Sequence, residues 1–167
     1  MTMVKDAFSS VRDKYRQITL NLIASGKTMA TMESCTAGQI VSLLTDTEGS
    51  SAVVLGGLVT YSNESKVLGG VNSDVISRFG VYSKETAIAM AQSIRSRLGS
   101  DFGVGVTGSF ANKDPNNSDS VPGEVFFAIA ISGETKVFQL SVPSLGFRFE
   151  YKMYVADVIA DRLLDIL

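Results

Sequence analysis

Two hydrophobic periods trade places along this chain, and their order leaves few folds open. Val4, Phe8, Val11, Tyr15, Ile18, Leu22 and Ile23 recur three or four residues apart, the stripe of an amphipathic helix, and Gly26 stops it. Residues 27–32 then read as a short strand running into Glu33 and Ser34. Residues 36–44 return to helical spacing through Ile40, Val41, Leu43 and Leu44. Residues 52–61 are β-branched and apolar around Gly56-Gly57, a pair that predicts a bulge or a close backbone approach. Asn63 is placed to cap a short helix carrying Lys66, and Asn72 or Ser73 another that ends near Gly80. Ser83 is a clear cap for a third helix running to Leu98. Residues 102–106 read as a buried strand, and 111–122 as a polar, turn-rich loop open to motion. Two strands, 124–131 and 135–142, are joined through Ser132-Gly133-Glu134 as a hairpin, and 147–167 closes the chain as an amphipathic helix. Strands interleaved with helices predict a three-layer α/β/α fold, with a mostly parallel, mixed sheet, helices on both faces, and one domain over 1–167.

Composition then narrows the chemistry. The 167 residues include no histidine and one cysteine, Cys35. Catalysis in such a chain must run on serine, lysine, tyrosine or carboxylates. A histidine- or cysteine-built metal site is excluded, and neither a metal nor a cofactor is expected. Fifteen basic against seventeen acidic side chains give a net charge of −2 with no basic block, so nucleic acid is not an expected partner. No apolar run approaches the roughly 20 residues of a membrane helix, and residues 1–13 lack a signal-peptide core. The expected setting is the cytoplasm, away from membranes.

In an α/β sheet, ligands gather at the carboxyl ends of strands, where helix N-termini offer free N–H groups. Glu33-Ser34-Cys35-Thr36-Ala37-Gly38 lies at such a junction. It reads either as an ordinary cap or as a cradle for an anion or oxyanion beside a hydroxyl. Thr107-Gly108-Ser109 ends a second strand and reads as a turn or as a close approach to a ligand. Between them, Tyr61 and Lys66 are the best proton carriers for a serine nucleophile, provided burial lowers the lysine's pKa. Ser34, Ser50 and Ser51 are all candidate nucleophiles, and local pattern does not choose among them. Cys35 without a histidine partner is the poorer nucleophile. Arg148, ahead of the last helix, is suited to a phosphate or carboxylate.

Taken together, Glu33 to Gly38, Thr45-Asp46, Gly49-Ser50-Ser51-Ala52 and Val59-Thr60-Tyr61-Ser62-Asn63-Glu64-Ser65-Lys66 resemble the CinA C-terminal domain family. That family's usual wording is E-S-C-T-G-G, T-D-x-x-G-S-S-A and V-T-Y-S-N-E-A-K. The likeness continues through Gly80-Val81-Tyr82-Ser83, Glu85 and the stretch 104–108 to Pro122-Gly123. It implies a free-standing form of the domain, self-associating, that deamidates nicotinamide mononucleotide to nicotinate mononucleotide and ammonia without a metal. It also implies Ser34, Ser51, Tyr61 and Lys66 as catalytic positions. Glu33, Cys35, Thr36, Gly38, Ser50, Thr107, Gly108 and Arg148 would surround the small nucleotide substrate. Two departures stand out. Ala37-Gly38 replaces the family's Gly-Gly. The run from Gly105 through Val106-Thr107-Gly108-Ser109-Phe110-Ala111 to Asn112 replaces its G-x-x-G-P-x-G-G. The second departure keeps an alternative open, a nucleotide-binding or regulatory relative that has lost the chemistry.

Overall fold

The computed structural model describes residues 8–167, so the helical position expected at Val4 lies outside the described residues. Helix α1 (Ser9–Ser25) ends on Gly26, whose left-handed φ of 64° lets its N–H reach back to Ile23 and Leu22. Strand β1 (Met29–Glu33) leads to α2 (Gln39–Thr45). A 3-10 turn (Ser50–Ala52) precedes β2 (Val54–Val59). Three helices come next: α3 (Asn63–Leu68), α4 (Ser73–Phe79) and α5 (Lys84–Leu98). Strands β3 (Phe102–Gly108), β4 (Glu124–Ile131) and β5 (Glu134–Ser141) succeed them, and α6 (Arg148–Leu164) closes the order.

The sheet runs β2-β1-β3-β4-β5. β1 pairs in parallel with β2 and β3, whereas β3-β4 and β4-β5 are antiparallel. The sheet is therefore mixed, with its parallel pairings confined to one half. A register shift between Met29 and Ala30 opposite Val54 and Gly56 is the bulge that Gly56-Gly57 predicts. The short-helix cap is Ser62 rather than Asn63: its hydroxyl accepts the Ser65 N–H at 3.1 Å, and the Ser65 hydroxyl accepts the Ser62 N–H at 3.0 Å. Asn72 and Ser83 cap α4 and α5.

Side chains alternate across the strands, and the inner strands β1, β3 and β4 are buried on both faces. Met29, Val104, Val106, Phe127 and Ile129 pack with Ile18, Leu22, Leu43, Val155 and Ile159 in the core beneath α1, α2 and α6. On the opposite face Ala30 and Met32 meet Met90 and Ile94, and Ala128 and Ala130 meet Ala87 and Ala91 of α5. Gly103 and Gly105 let α5 lie almost against the backbone of β3. A β-carbon on Gly105 would stand 2.5 Å from the Ala87 carbonyl. The parallel pairing of β1 with β3 leaves their carboxyl ends side by side.

Candidate active site

β1 ends in Glu33, and the shape of the junction beyond it is set by where that carboxylate goes. One oxygen accepts the Thr36 hydroxyl at 2.7 Å and the N–H groups of Gly38 and Ile40 at 3.0 Å each. The other accepts Val41 N–H at 2.9 Å and the Thr31 hydroxyl at 3.1 Å. Glu33 is fully buried, so both lone-pair sets are spent on the first turn of α2. Glu33, Thr36 and Gly38, expected to touch substrate, instead form an internal brace that fixes the junction. Ala37 in that junction takes a left-handed φ of 49°, where the resembled family has glycine.

The brace presents Ser34. Its hydroxyl accepts a hydrogen bond from Lys66 Nζ at 3.0 Å, and the same Nζ donates to the Thr60 carbonyl at 2.8 Å. Lys66 is 1% exposed and Ser34 5%. Among the described residues no carboxylate lies within ion-pair distance of Lys66. Burial pushes its pKa down to about 8, against a smaller upward pull from negative charge that includes Asp114 and Glu64. The sequence alone leaves open a surface helix lysine; the structure shows a buried amine on a serine. Cys35 is pushed up to about 12 by burial and by the neighbouring Glu33 charge, so its thiol stays protonated.

A cavity of about 620 Å³ opens onto Ser34, within the usual range for small-molecule sites, and Lys66 lies behind that serine rather than on the cavity wall. Ser34, Cys35, Tyr61, Gly108, Phe110 and Arg148 are on its walls. Tyr61 accepts a hydrogen bond from the Arg148 guanidinium at 2.7 Å, so its hydroxyl is turned to Arg148 rather than to Ser34 or Lys66. Arg148 also lies 5.1 Å from the centroid of the Phe110 ring, which stacks on Tyr151.

Three sequence expectations meet a different placement. Thr107 is fully buried and donates its hydroxyl to the Val81 carbonyl at 2.9 Å, which removes it from the pocket. Ser50 and Ser51 sit before β2, whereas Ser34 comes after β1. Parallel strands place those two positions at opposite ends of the sheet, roughly 16 Å apart for five residues of strand. Neither serine is brought to Lys66 within the chain. Finally, the loop after Gly108 is braced rather than loose. Asp114 accepts the Tyr82 hydroxyl and the Asn117 amide at 2.6 Å each. Asn117 accepts from Asn63 at 2.8 Å, and Ser120 donates to Ser109 at 2.9 Å. Asn63 and Tyr82, which lie in the family-like stretches without being singled out there, thus join the site, as do Asp114 and Asn117, which no local motif marks. The usable signal is the density of Asn and Asp in the loop, residue types that bond neighbouring backbone and amides. Among the described residues no group of three or more Cys, Asp or Glu could hold a metal ion. No helix among them is long and apolar enough to cross a membrane.

Comparison with known proteins places this architecture. The family model for the CinA C-terminal domain matches residues 12–157. A putative competence-damage inducible protein of Desulforudis audaxviator is 40% identical over 126 residues, 74% of this chain and 30% of that protein. A CinA-like protein of Kosmotoga olearia is 34% identical over 158 residues, 92% of this chain and 38% of its own length. The chain therefore spans about a third of the length of the curated relatives it matches. The crystal structure of competence/damage inducible protein CihA from Agrobacterium tumefaciens superposes with a TM-score of 0.84 at 30% identity, covering 93% of this chain and 94% of that one. A CinA superfamily protein from Escherichia coli shares the fold at TM-score 0.85 and 22% identity, covering 99% and 95%. By these matches the chain belongs to the CinA C-terminal domain family.

Proposed function

We propose that the chain is an amidohydrolase that deamidates nicotinamide mononucleotide by a serine–lysine mechanism. The observation that carries this reading is the 3.0 Å hydrogen bond from buried Lys66 to Ser34, whose residue lines a cavity of about 620 Å³. A lysine held near 8 supplies a neutral amine in the pH range where an ordinary lysine is fully protonated. In that form Lys66 accepts the Ser34 proton as Oγ bonds to the carboxamide carbon. The N–H groups of Ser34 and Ala37 are committed to Val106 and Ser34 carbonyls. The developing oxyanion takes over the Cys35 N–H at the cavity wall, which otherwise lies against the Cys35 sulfur. Collapse breaks the C–N bond, and ammonia leaves with the proton from Lys66. Water then attacks the resulting ester. Lys66 takes the water proton and returns it to Ser34, releasing nicotinate mononucleotide. Arg148 and Tyr61 are suited to the phosphate at the outer wall.

The rewritten loop favours a second reading, a member that binds the nucleotide without turning it over. A panel of pyridine nucleotide amides separates the two by ammonia release and calorimetry. Release from the mononucleotide that falls at least a hundredfold in Lys66→Ala supports the amidohydrolase. Calorimetric binding with no ammonia from neutral to alkaline pH favours the second reading.

A further inference from the structure

The loop that departs from the family pattern puts a carboxylate into the cavity. Asp114 lies on the wall of the pocket that holds Ser34, and its negative charge pulls the pKa of Lys66, behind that serine, upward. Its three bonds come from neutral donors: the Tyr82 hydroxyl and Asn117 amide at 2.6 Å each, and the Asn116 N–H at 2.9 Å. These bonds, with Tyr82 first, hold the carboxyl below the usual carboxylate range, so it is ionised at any working pH. Among the described residues no arginine or lysine lies within ion-pair distance of it. The group is also held in place. The Asp114 N–H donates to Ser120, Asn117 is tied to Asn63, and the Tyr82 N–H donates to Asp119. Arg148 lies on a wall of the same pocket, and its guanidinium has a phenol and a ring face for partners and, among the described residues, no carboxylate within ion-pair distance. A carboxylate held in place and a guanidinium thus share one pocket, whose wall also carries the exposed Glu64 and Lys113, and among the described residues no ion pair joins any of the four. The ligand that satisfies both carries a positive and a negative charge of its own.

We infer that Asp114 is a specificity-determining residue that reads the positive charge of a pyridinium ring, so that the site takes zwitterionic nucleotide amides over neutral-ring ones. This rests on the amidohydrolase reading, in which the carboxamide lies at Ser34. The ring attached to it is then the part of the substrate nearest Asp114 and Lys66, and the phosphate is left to Arg148. An aspartate that merely tied down the loop would serve both ring types alike.

The test compares nicotinamide mononucleotide with its 1,4-dihydro form, which keeps carboxamide, ribose and phosphate but has an uncharged ring. Calorimetry and ammonia release are run on wild type, Asp114→Asn and Tyr82→Phe. Wild type is expected to bind the cationic form about tenfold more tightly, the scale of one partly solvated charge pair. Asp114→Asn brings that ratio close to one, and Tyr82→Phe, which keeps the charge, preserves it. The inference is overturned if wild type binds both forms equally or neither. It is also overturned if Asp114→Asn weakens both to the same degree, or shifts the pH profile for both while leaving the ratio intact. Binding preference that Asp114→Asn erases, without ammonia from either form, sinks the amidohydrolase reading and leaves this one standing.

Discussion

Lys66 shows what a local pattern can and cannot carry. Beside Tyr61 in a chain without histidine it is a candidate proton carrier, but burial depends on what α3 packs against, and no short window contains that. The absence of histidine is the stronger guide, because it leaves serine with lysine as the natural pairing, and the structure joins Ser34 to Lys66. Glu33 misleads for the opposite reason. A carboxylate before a helix looks available until the helix turns its N–H groups onto both oxygens. Ala37 carries a cost of its own, since a β-carbon at φ 49° crowds the carbonyl. Ala37→Gly is expected to stabilise the protein by roughly 0.5–1 kcal/mol, the relief of that crowding less the extra freedom of the unfolded chain. A rise in the urea midpoint checks it, and an unchanged or lower midpoint refutes the strain.

At the scale of elements, periodicity carries the order of helices and strands, and the differences are instructive. The 3-10 turn at Ser50–Ala52 precedes a strand parallel to β1, and that polarity alone sends Ser50 and Ser51 to the far end of the sheet. The rule is simple: in parallel neighbours, residues before one strand cannot meet residues after the other. The loop after Gly108 reads as mobile from sequence because polar composition does not reveal pairing. Tyr82 and Asn63, distant in sequence, supply its partners. The β3–α5 contact has a sharper consequence. A β-carbon on Gly105 would meet the Ala87 carbonyl and the Ala91 N–H at 2.5 Å, backbone atoms that no rotamer can move. Gly105→Ala should therefore cost about 3 kcal/mol as α5 is pushed from the sheet. Thermal unfolding indistinguishable from wild type would show that the helix can shift freely.

Over the whole molecule, the site is assembled from parts that are far apart in the chain. It takes the end of β1, the start of α3, the loop after β3, the approach to α5 and the first residue of α6. Family resemblance and the lack of histidine point to the reacting pair. The charge layout of the cavity wall needs the fold, because Asp114 and Arg148 share a pocket only once β3 and α6 are in place. The proposed pair, Ser34 with Lys66 behind it, predicts a pH dependence with a definite sign. In the proposed mechanism Lys66 works as a base when neutral, and burial lowers its pKa to about 8, below an ordinary lysine. Turnover should rise as pH climbs through that value and level off above it. The most direct measurement is ammonia release from nicotinamide mononucleotide against pH, for wild type and for Ser34→Ala. The expected result is a wild-type midpoint close to 8 and a Ser34→Ala variant without turnover at any pH. Turnover surviving in Ser34→Ala, or a wild-type rate that stays constant from neutral to alkaline pH, would contradict a serine–lysine mechanism.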